Sequence, residues 1–523
     1  MRRNTLNETY DIAIVGSGFA GSLLAMIARQ LGHSVVLIEK GSHPRFVIGE
    51  SSTPLSNLLL EELATRYNLP ALRPLAKWGS WQRTYPDIAC GLKRGFTFHH
   101  HTLGAQDAPD PHRQHQLLVA ASPNDAIADT HWYRADFDRL LVQKAQELGA
   151  DYVDQVALHR FTDTQNDVML DGQRNGQDLA FRAKFVVDAT GPRGFLHHAL
   201  QLGEREMPGY PATQALYSHF SGVGRLEQRF HPADMPPYPI DDAAMHHIFD
   251  GGWIWILHFN NGISSAGVAA TDSLSSSLQL KQGAPAWQRL LDALPAARHE
   301  FADATAVRPF THLPRLSFRS AQVTGPRWAL LPSAAGFVDP LMSTGFPLTL
   351  LGISRLADAI EQDWETPRFS NRLATYAGQT DGELLATARL TASLYANMNH
   401  FPVFVSLSLL YFAAASYSEA ARRLGKSHLA PSFLFYDHPV FGPACVRLFE
   451  RAQQTLTKSE AAELARDILR TIEPFNVAGL GRPERRNWYP VEAGDLLQSA
   501  DKLCATGDEI RSMLMRCGLL PSA

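Results

Sequence analysis

The chain has 523 residues, 45% of them hydrophobic, enough to bury two or three packed substructures. Lys and Arg number 48 against 52 Asp and Glu, and the net charge of −4 offers no basic surface for nucleic acid or an anionic membrane. The four cysteines, Cys90, Cys445, Cys504 and Cys517, show no Cys-x-x-Cys spacing and so suggest neither a zinc site nor a disulfide framework.

Arg2-Arg3 is followed by polar residues rather than an apolar run, so no cleavable signal fits and a cytoplasmic enzyme is expected. Residues 11–15 (DIAIV) form a strand, followed by the turn Gly16-Ser17-Gly18-Phe19-Ala20-Gly21 and a helix that stops at Gly32. A second strand ends at Glu39-Lys40, which completes a βαβ unit with parallel strands. A loop over 43–54 and a helix over 55–67 come next, then irregular sheet over 80–135 with an exposed loop at 104–115. A helix over 135–148 leads to the strand YVDQVAL, and FVVDATG returns as another strand. Aromatic-rich strands occupy 205–300, the strand WALLP lies at 328–332, and a turn follows at 336–345. After about residue 365 the pattern is helical.

From Leu390 to Ser418 there is no charged residue, but Asn397, Asn399, His400 and Pro402 interrupt the apolar run. A spanning helix needs about 20 predominantly apolar residues. Buried helices are therefore expected, with a membrane contact or a greasy substrate channel as the alternative. His99, His100 and His101 lack carboxylate or Cys partners at ligand spacing, so no metal is expected.

Each glycine of G16-x-G18-x-x-G21 has a physical role. Gly16 permits the tight turn, Gly18 lets the backbone approach a pyrophosphate, and Gly21 lets the helix lie close to the sheet. Glu39 stands about 20 residues on, where an acidic group receives ribose hydroxyls. Arg45, Gly49-Glu50-Ser51-Ser52, Tyr133-Arg134 and Asp188-Ala-Thr-Gly191 follow, and a nicotinamide dehydrogenase does not need these blocks.

The set resembles the FAD-dependent monooxygenase superfamily. It implies an α/β Rossmann-type FAD-binding fold, with an inserted β-rich substrate domain and a helical C-terminal region. The expected segments are 1–204 and 311–364 for the FAD-binding domain, 205–310 for the substrate domain and 365–523 for the helices. The expected cofactor-binding residues are Gly16, Gly18, Phe19, Ala20, Gly21, Glu39, Lys40, Arg45, Ser51, Arg134, Asp188 and Asp339. The superfamily's Gly-Asp before its isoalloxazine loop is replaced by Pro332-Ser333, which leaves Asp339 or Arg134 to compensate.

Three further segments resemble the flavin-dependent halogenases, closest to the pyrrole and phenol types, over roughly residues 10–350. Gly252-Trp253-Ile254-Trp255-Ile256-Leu257 resembles the W-x-W-x-I-P signature, with both Trp kept and Leu257 and His258 at its last two positions. Phe337-Val-Asp339-Pro340-Leu-Met342-Ser343-Thr344-Gly345 fits the family's F-x-x-P-x-x-S-x-G loop in full. Cys90-Gly-Leu-Lys93-Arg-Gly-Phe96 resembles the segment with the catalytic lysine, which places it at Lys93.

The resemblance implies that FAD, as FADH2, converts chloride or bromide and O2 to hypohalous acid, with the halide at Ser343, Thr344 and Gly345. Trp253, Trp255, Phe337 and Pro340 would line a tunnel that keeps the substrate from the flavin. Lys93 would carry the halogen, and desolvation is expected to lower its pKa. A separate flavin reductase is the implied partner, and the substrate is a small aromatic, free or tethered to a carrier protein. Met342 stands where tryptophan-specific members have a glutamate, so the expected ring is a phenol or a pyrrole rather than tryptophan. Glu50, Asp339 and His247 remain open as the final base. An FAD monooxygenase that hydroxylates an aromatic or apolar substrate remains the alternative, with a non-catalytic flavin-binding partner third.

Overall fold

The computed structural model describes residues 9–106, 110–229 and 234–520. The residues that bear on a signal segment (1–8) and the centre of the 104–115 loop (107–109) lie outside the described residues.

The first sheet has eight strands. Thr9–Val15 lies between Gln177–Asp188 and Val35–Ile38, with Trp328–Leu330 and Asp151–Val153 further out, and all these pairs are parallel. Strands covered on both faces need unbroken apolar runs, and IAIV (12–15) and VVLI are such runs. YVDQVAL is not one strand. Gln155 adopts φ +56°, which separates Asp151–Val153 from Ala157–Asp163.

A nine-stranded sheet forms the second layer. Its middle is, in spatial order, Thr213–Ser221, Ile263–Thr271, Gly252–His258 and Ala244–Phe249, all antiparallel. Beyond that it recruits Gly95–His100, Gln116–Ala120 and Trp488–Tyr489. The expected domain at 205–310 is therefore only the centre of a sheet assembled from three stretches of chain. The reason is long-range pairing: Ala244–Phe249 runs parallel to Gly95–His100, which no local pattern encodes.

Three long helices follow, Gly345–Asp363, Arg368–Ala396 and Phe401–Arg423. The last is long and apolar enough to cross a membrane, yet 83% of its most apolar stretch is buried inside the protein. Phe404, Leu407 and Leu410 on this helix share one continuous core with Ile12 and Ile14 of the first sheet. Burying each such side chain contributes roughly 1.5–3 kcal/mol.

Candidate active site

Gly16 has φ +99°, and a Cβ there would lie 2.7 Å from the Ala189 backbone, so the turn requires glycine. A Cβ on Gly21 would come within 1.9 Å of the Gly16 carbonyl oxygen. Gly18 starts the helix Phe19–Gln30 without a side-chain cap or a first-turn acid, which leaves N–H groups and the positive helix end for a ligand. Phe19 and Ala20 are buried there. The space beside Gly18 is bounded by Nη2 of Arg45 and of Arg134, 3.1 and 3.4 Å from an added Cβ.

Glu39 accepts hydrogen bonds from the Ser17 N–H and hydroxyl and from the Gly41 N–H, each at 2.9 Å. Burial pushes its carboxyl up, but Arg45 and these donors outweigh burial and hold it below the usual range. Arg45 Nη2 stands 3.6 Å from Glu39, while its Nε is buried with no hydrogen-bond partner in the structure. An uncapped helix end beneath two guanidinium groups, one with an orphaned N–H, fits a dinucleotide pyrophosphate. Lys40 is exposed at the rim.

Two carboxylates expected at the cofactor are instead taken up by the chain itself. Asp188 accepts from the Thr190 N–H and hydroxyl and from the Leu196 N–H, so it shapes the turn over Gly16. Asp339 accepts from the hydroxyls of Tyr210 and Tyr395, both at 2.9 Å, and from the Leu341 N–H at 3.0 Å. It therefore braces the 337–345 loop, and burial pushes its carboxyl up to about 6 despite these donors.

Phe337 lies in a two-residue strand paired with Phe318–Arg319, and Pro340 is half-buried on the following turn. Ser343 then adopts φ +52° and donates its N–H to the Pro340 carbonyl. Thr344 precedes the 19-residue helix that begins at Gly345, again with no side-chain cap and no first-turn acid. Gly345 is exposed and an added Cβ would meet nothing within 4 Å, so neither packing nor backbone conformation requires glycine there. The Phe19 and Phe346 rings meet at 4.9 Å, which brings the starts of the two uncapped helices side by side.

Trp253 and Trp255 share a strand face, with ring centroids 5.7 Å apart, and both are buried. Trp253 donates to the Tyr395 hydroxyl at 3.2 Å and packs on His246 at 5.3 Å. His246 stacks on Phe96 at 6.0 Å, and Lys93 Nζ sits 3.8 Å above the Phe96 ring. A continuous row of aromatic groups thus joins the Asp339 loop to Lys93.

Lys93 is fully buried, whereas its neighbour Arg94 pairs with Asp125 at 2.7 Å. A solvated Lys93–Arg94 charge pair is thereby excluded. Lys93 Nζ donates to the Ser51 hydroxyl at 2.8 Å and the Ser52 carbonyl at 2.5 Å. Ser51, expected at the cofactor, therefore points its hydroxyl at the lysine. Desolvation pulls the Lys93 ammonium well down from its ordinary value, and Asp129 opposes this. Asp129 lies directly opposite Lys93 across the antiparallel pair of Cys90–Lys93 and Asp129–Trp132.

Asp129, but not Lys93 itself, lines a cavity of about 160 Å³, together with Thr53, Asn57, Phe96 and, from the apolar helix, Tyr411 and Phe412. An engineered apolar cavity of about 150 Å³ holds benzene, so this one suits a single substituted ring. Sequence reading identified Lys93 but not Asp129, Asn57, Tyr395 or Tyr411. Among the candidate bases, Glu50 is paired with His219 at 2.8 Å, and His247 lies 3.0 Å from Glu300. Among the described residues no His, Cys, Asp and Glu group has metal-holding geometry.

The sheet, the glycine turn and the two arginines define a dinucleotide-binding protein of the Rossmann type. Residues 14–55 match the family described as NAD(P)-binding Rossmann-like domain, and residues 111–384 match the tryptophan halogenase family. Tetracycline 7-halogenase of Kitasatospora aureofaciens is 30% identical, over 78% of this chain and 74% of that protein. Monodechloroaminopyrrolnitrin halogenase PrnC of Pseudomonas fluorescens is 30% identical over 72% and 66%. The 1H-pyrrole-2-carbonyl-[peptidyl-carrier protein] brominase of Pseudoalteromonas luteoviolacea is 26% identical over 71% and 83%. In fold, the crystal structure of halogenase PltM with phloroglucinol and FAD superposes with a TM-score of 0.79 at 24% identity, over 91% of this chain and 99% of that one. This chain belongs to the flavin-dependent halogenase family; it is an oxidoreductase with FAD as cofactor and a halide as co-substrate.

Proposed function

We propose that this enzyme halogenates a small, electron-rich aromatic ring of the phenol or pyrrole type, bound in the cavity that Asp129 lines. The observation that carries this reading is a fully buried lysine with a lowered pKa, set opposite Asp129, which lines a cavity the size of one ring. The relatives act on a tetracycline, on monodechloroaminopyrrolnitrin and on a carrier-bound pyrrole, and such rings need no glutamate at position 342 to activate them.

Gly16, Gly18, Gly21, Glu39, Arg45 and Arg134 would hold FAD, and Thr344 and Gly345 would offer the halide backbone N–H groups at a helix start, with Ser343, whose own N–H is held by Pro340, shaping the turn. Reduced FAD with O2 supplies the oxidising equivalents that turn a halide into hypohalous acid. Trp253 and Trp255 keep the ring away from the flavin, and Lys93 receives the halogen and presents it to the ring. One glycine fingerprint is present and serves FAD, so a separate flavin reductase is the proposed partner, in a cytoplasmic setting.

The test is incubation with FAD, a reductase, NADH and a panel of phenols, pyrroles (free and carrier-tethered) and indoles, with and without bromide, read by mass spectrometry. Bromide-dependent mass gain on a phenol or pyrrole is expected. Oxygenated product irrespective of halide would overturn the proposal.

A further inference from the structure

We infer that Asp129 is the base that accepts the ring proton when the carbon–halogen bond forms, and that Asn57 aims it; the inference rests on the halogenase reading above. Cross-strand register places Asp129 opposite Lys93, so both side chains leave the same face of the ribbon with Cβ atoms about 5 Å apart. Asp129 also belongs to the cavity wall, together with Asn57 and Phe96. Its Oδ1 accepts from Asn57 Nδ2 at 2.7 Å, and its Oδ2 is buried with no hydrogen-bond partner in the structure.

A buried carboxylate oxygen left without a donor is costly for the fold alone, and a ligand that presents a hydrogen removes that cost. Of the other carboxylates that line the cavity, Glu61 is only half-buried and Glu492 is paired with Arg485 at 2.7 Å. Glu50 is held by His219, Asp339 by two tyrosines, and Glu419 of the cavity wall by Arg423 at 2.8 Å. The groups that face Asp129 are Lys93 from the paired strand, Asn57, and Tyr411, Glu419 and Arg423 from the apolar helix. Burial pushes the Asp129 carboxyl up, against the opposing pull of Lys93 and the Asn57 hydrogen bond. That direction makes it a stronger base than an exposed aspartate.

The step balances as ArH + HOX giving ArX + H2O. The ring's π pair attacks the halogen carried at Lys93, and the halogen's bonding electrons return to the atom it leaves. The C–H pair then restores the aromatic ring, and Asp129 takes the proton and returns it to the Lys93 nitrogen, the water having left when hypohalous acid halogenated the amine. Hypohalous acid, the oxidant, is the product of the family's own flavin chemistry.

The experiment compares the wild-type holoenzyme with Asp129→Asn and Asp129→Ala, using a bromide-dependent substrate and its ring-deuterated form. The asparagine variant is expected to halogenate about a hundredfold or more slowly. It should also show a primary isotope effect that the wild type lacks, because proton removal becomes limiting. Formate should restore part of the rate in Asp129→Ala. In the apo protein, nitrogen NMR of labelled lysine should show Lys93 losing its proton at lower pH in Asp129→Asn, since a carboxylate that raised its pKa is gone. Wild-type rates in Asp129→Asn, or loss of rate with neither isotope effect nor formate rescue, would overturn the assignment and leave the halogenase reading standing. A wild type with no halide-dependent product would instead sink that reading and the assignment with it.

Discussion

On the proposed mechanism, two buried groups of opposite kind, Lys93 and Asp129, set the chemistry at the scale of single residues. Desolvation lowers the Lys93 pKa, so its neutral, nucleophilic form is reached at a lower pH than for a free lysine. Halogenation should therefore rise as Lys93 loses its proton, with a midpoint below the ordinary lysine value. A pH–rate profile with its rising limb at free-lysine pH would show that the buried amine is not the reacting group.

Asp339 supplies a separate test, of stability. Its carboxyl is raised to about 6 in the fold from an ordinary value of 3.8. Its stabilising contribution is thus complete below 3.8 and is lost as the pH rises through 6. Asp339→Asn removes that dependence, so the variant's melting temperature relative to wild type should improve between pH 5 and pH 7. An unchanged difference in Tm would mean Asp339 does not titrate in this range. Gly18→Asp is expected to abolish FAD binding, because its carboxylate would reach Arg45 and Arg134 and take the phosphate's place. Flavin absorbance retained at the wild-type level after gel filtration would contradict this.

Among the elements, the two adjoining helix starts are the distinctive feature. Gly345 has open space around it and is exposed in the structure. Gly345→Ala should accordingly fold normally, with stability unchanged or raised by up to about 1 kcal/mol, yet need more halide or flavin for half-maximal activity. A marked fall in Tm would show that the fold, rather than a ligand, requires this glycine.

The glycine turn, the Trp-x-Trp strand and the 337–345 loop were all legible in the sequence, because each is a local pattern with fixed spacing. Asp129 was not, since its meaning comes from the register that sets it opposite Lys93 across 35 intervening residues. Tyr395 was equally silent. Its hydroxyl joins Asp339 to Trp253 from a helix in which sequence pattern showed only an apolar, helical stretch. Periodicity reports which face of a helix is buried, but not which tertiary partner its polar tip meets.

Over the whole molecule, the C-terminal region reaches back into the two layers before it. Tyr395 braces the 337–345 loop through Asp339, Tyr411 and Phe412 line the cavity that Asp129 also lines, and the strand Trp488–Tyr489 extends the second sheet. The expected buried helix is present, and it is the element that carries Tyr411 and Phe412.

The central claim, that Lys93 delivers the halogen, is tested most directly by measuring halogenated product beside peroxide release for wild type, Lys93→Ala and Lys93→Arg, with folding checked by circular dichroism. Both variants should lose the product while FADH2 oxidation by O2 continues. Arginine should fail nearly as badly as alanine, because a guanidinium stays charged and is a poor amine nucleophile. Substantial halogenation by folded Lys93→Ala would contradict the account and point to free hypohalous acid as the halogenating agent.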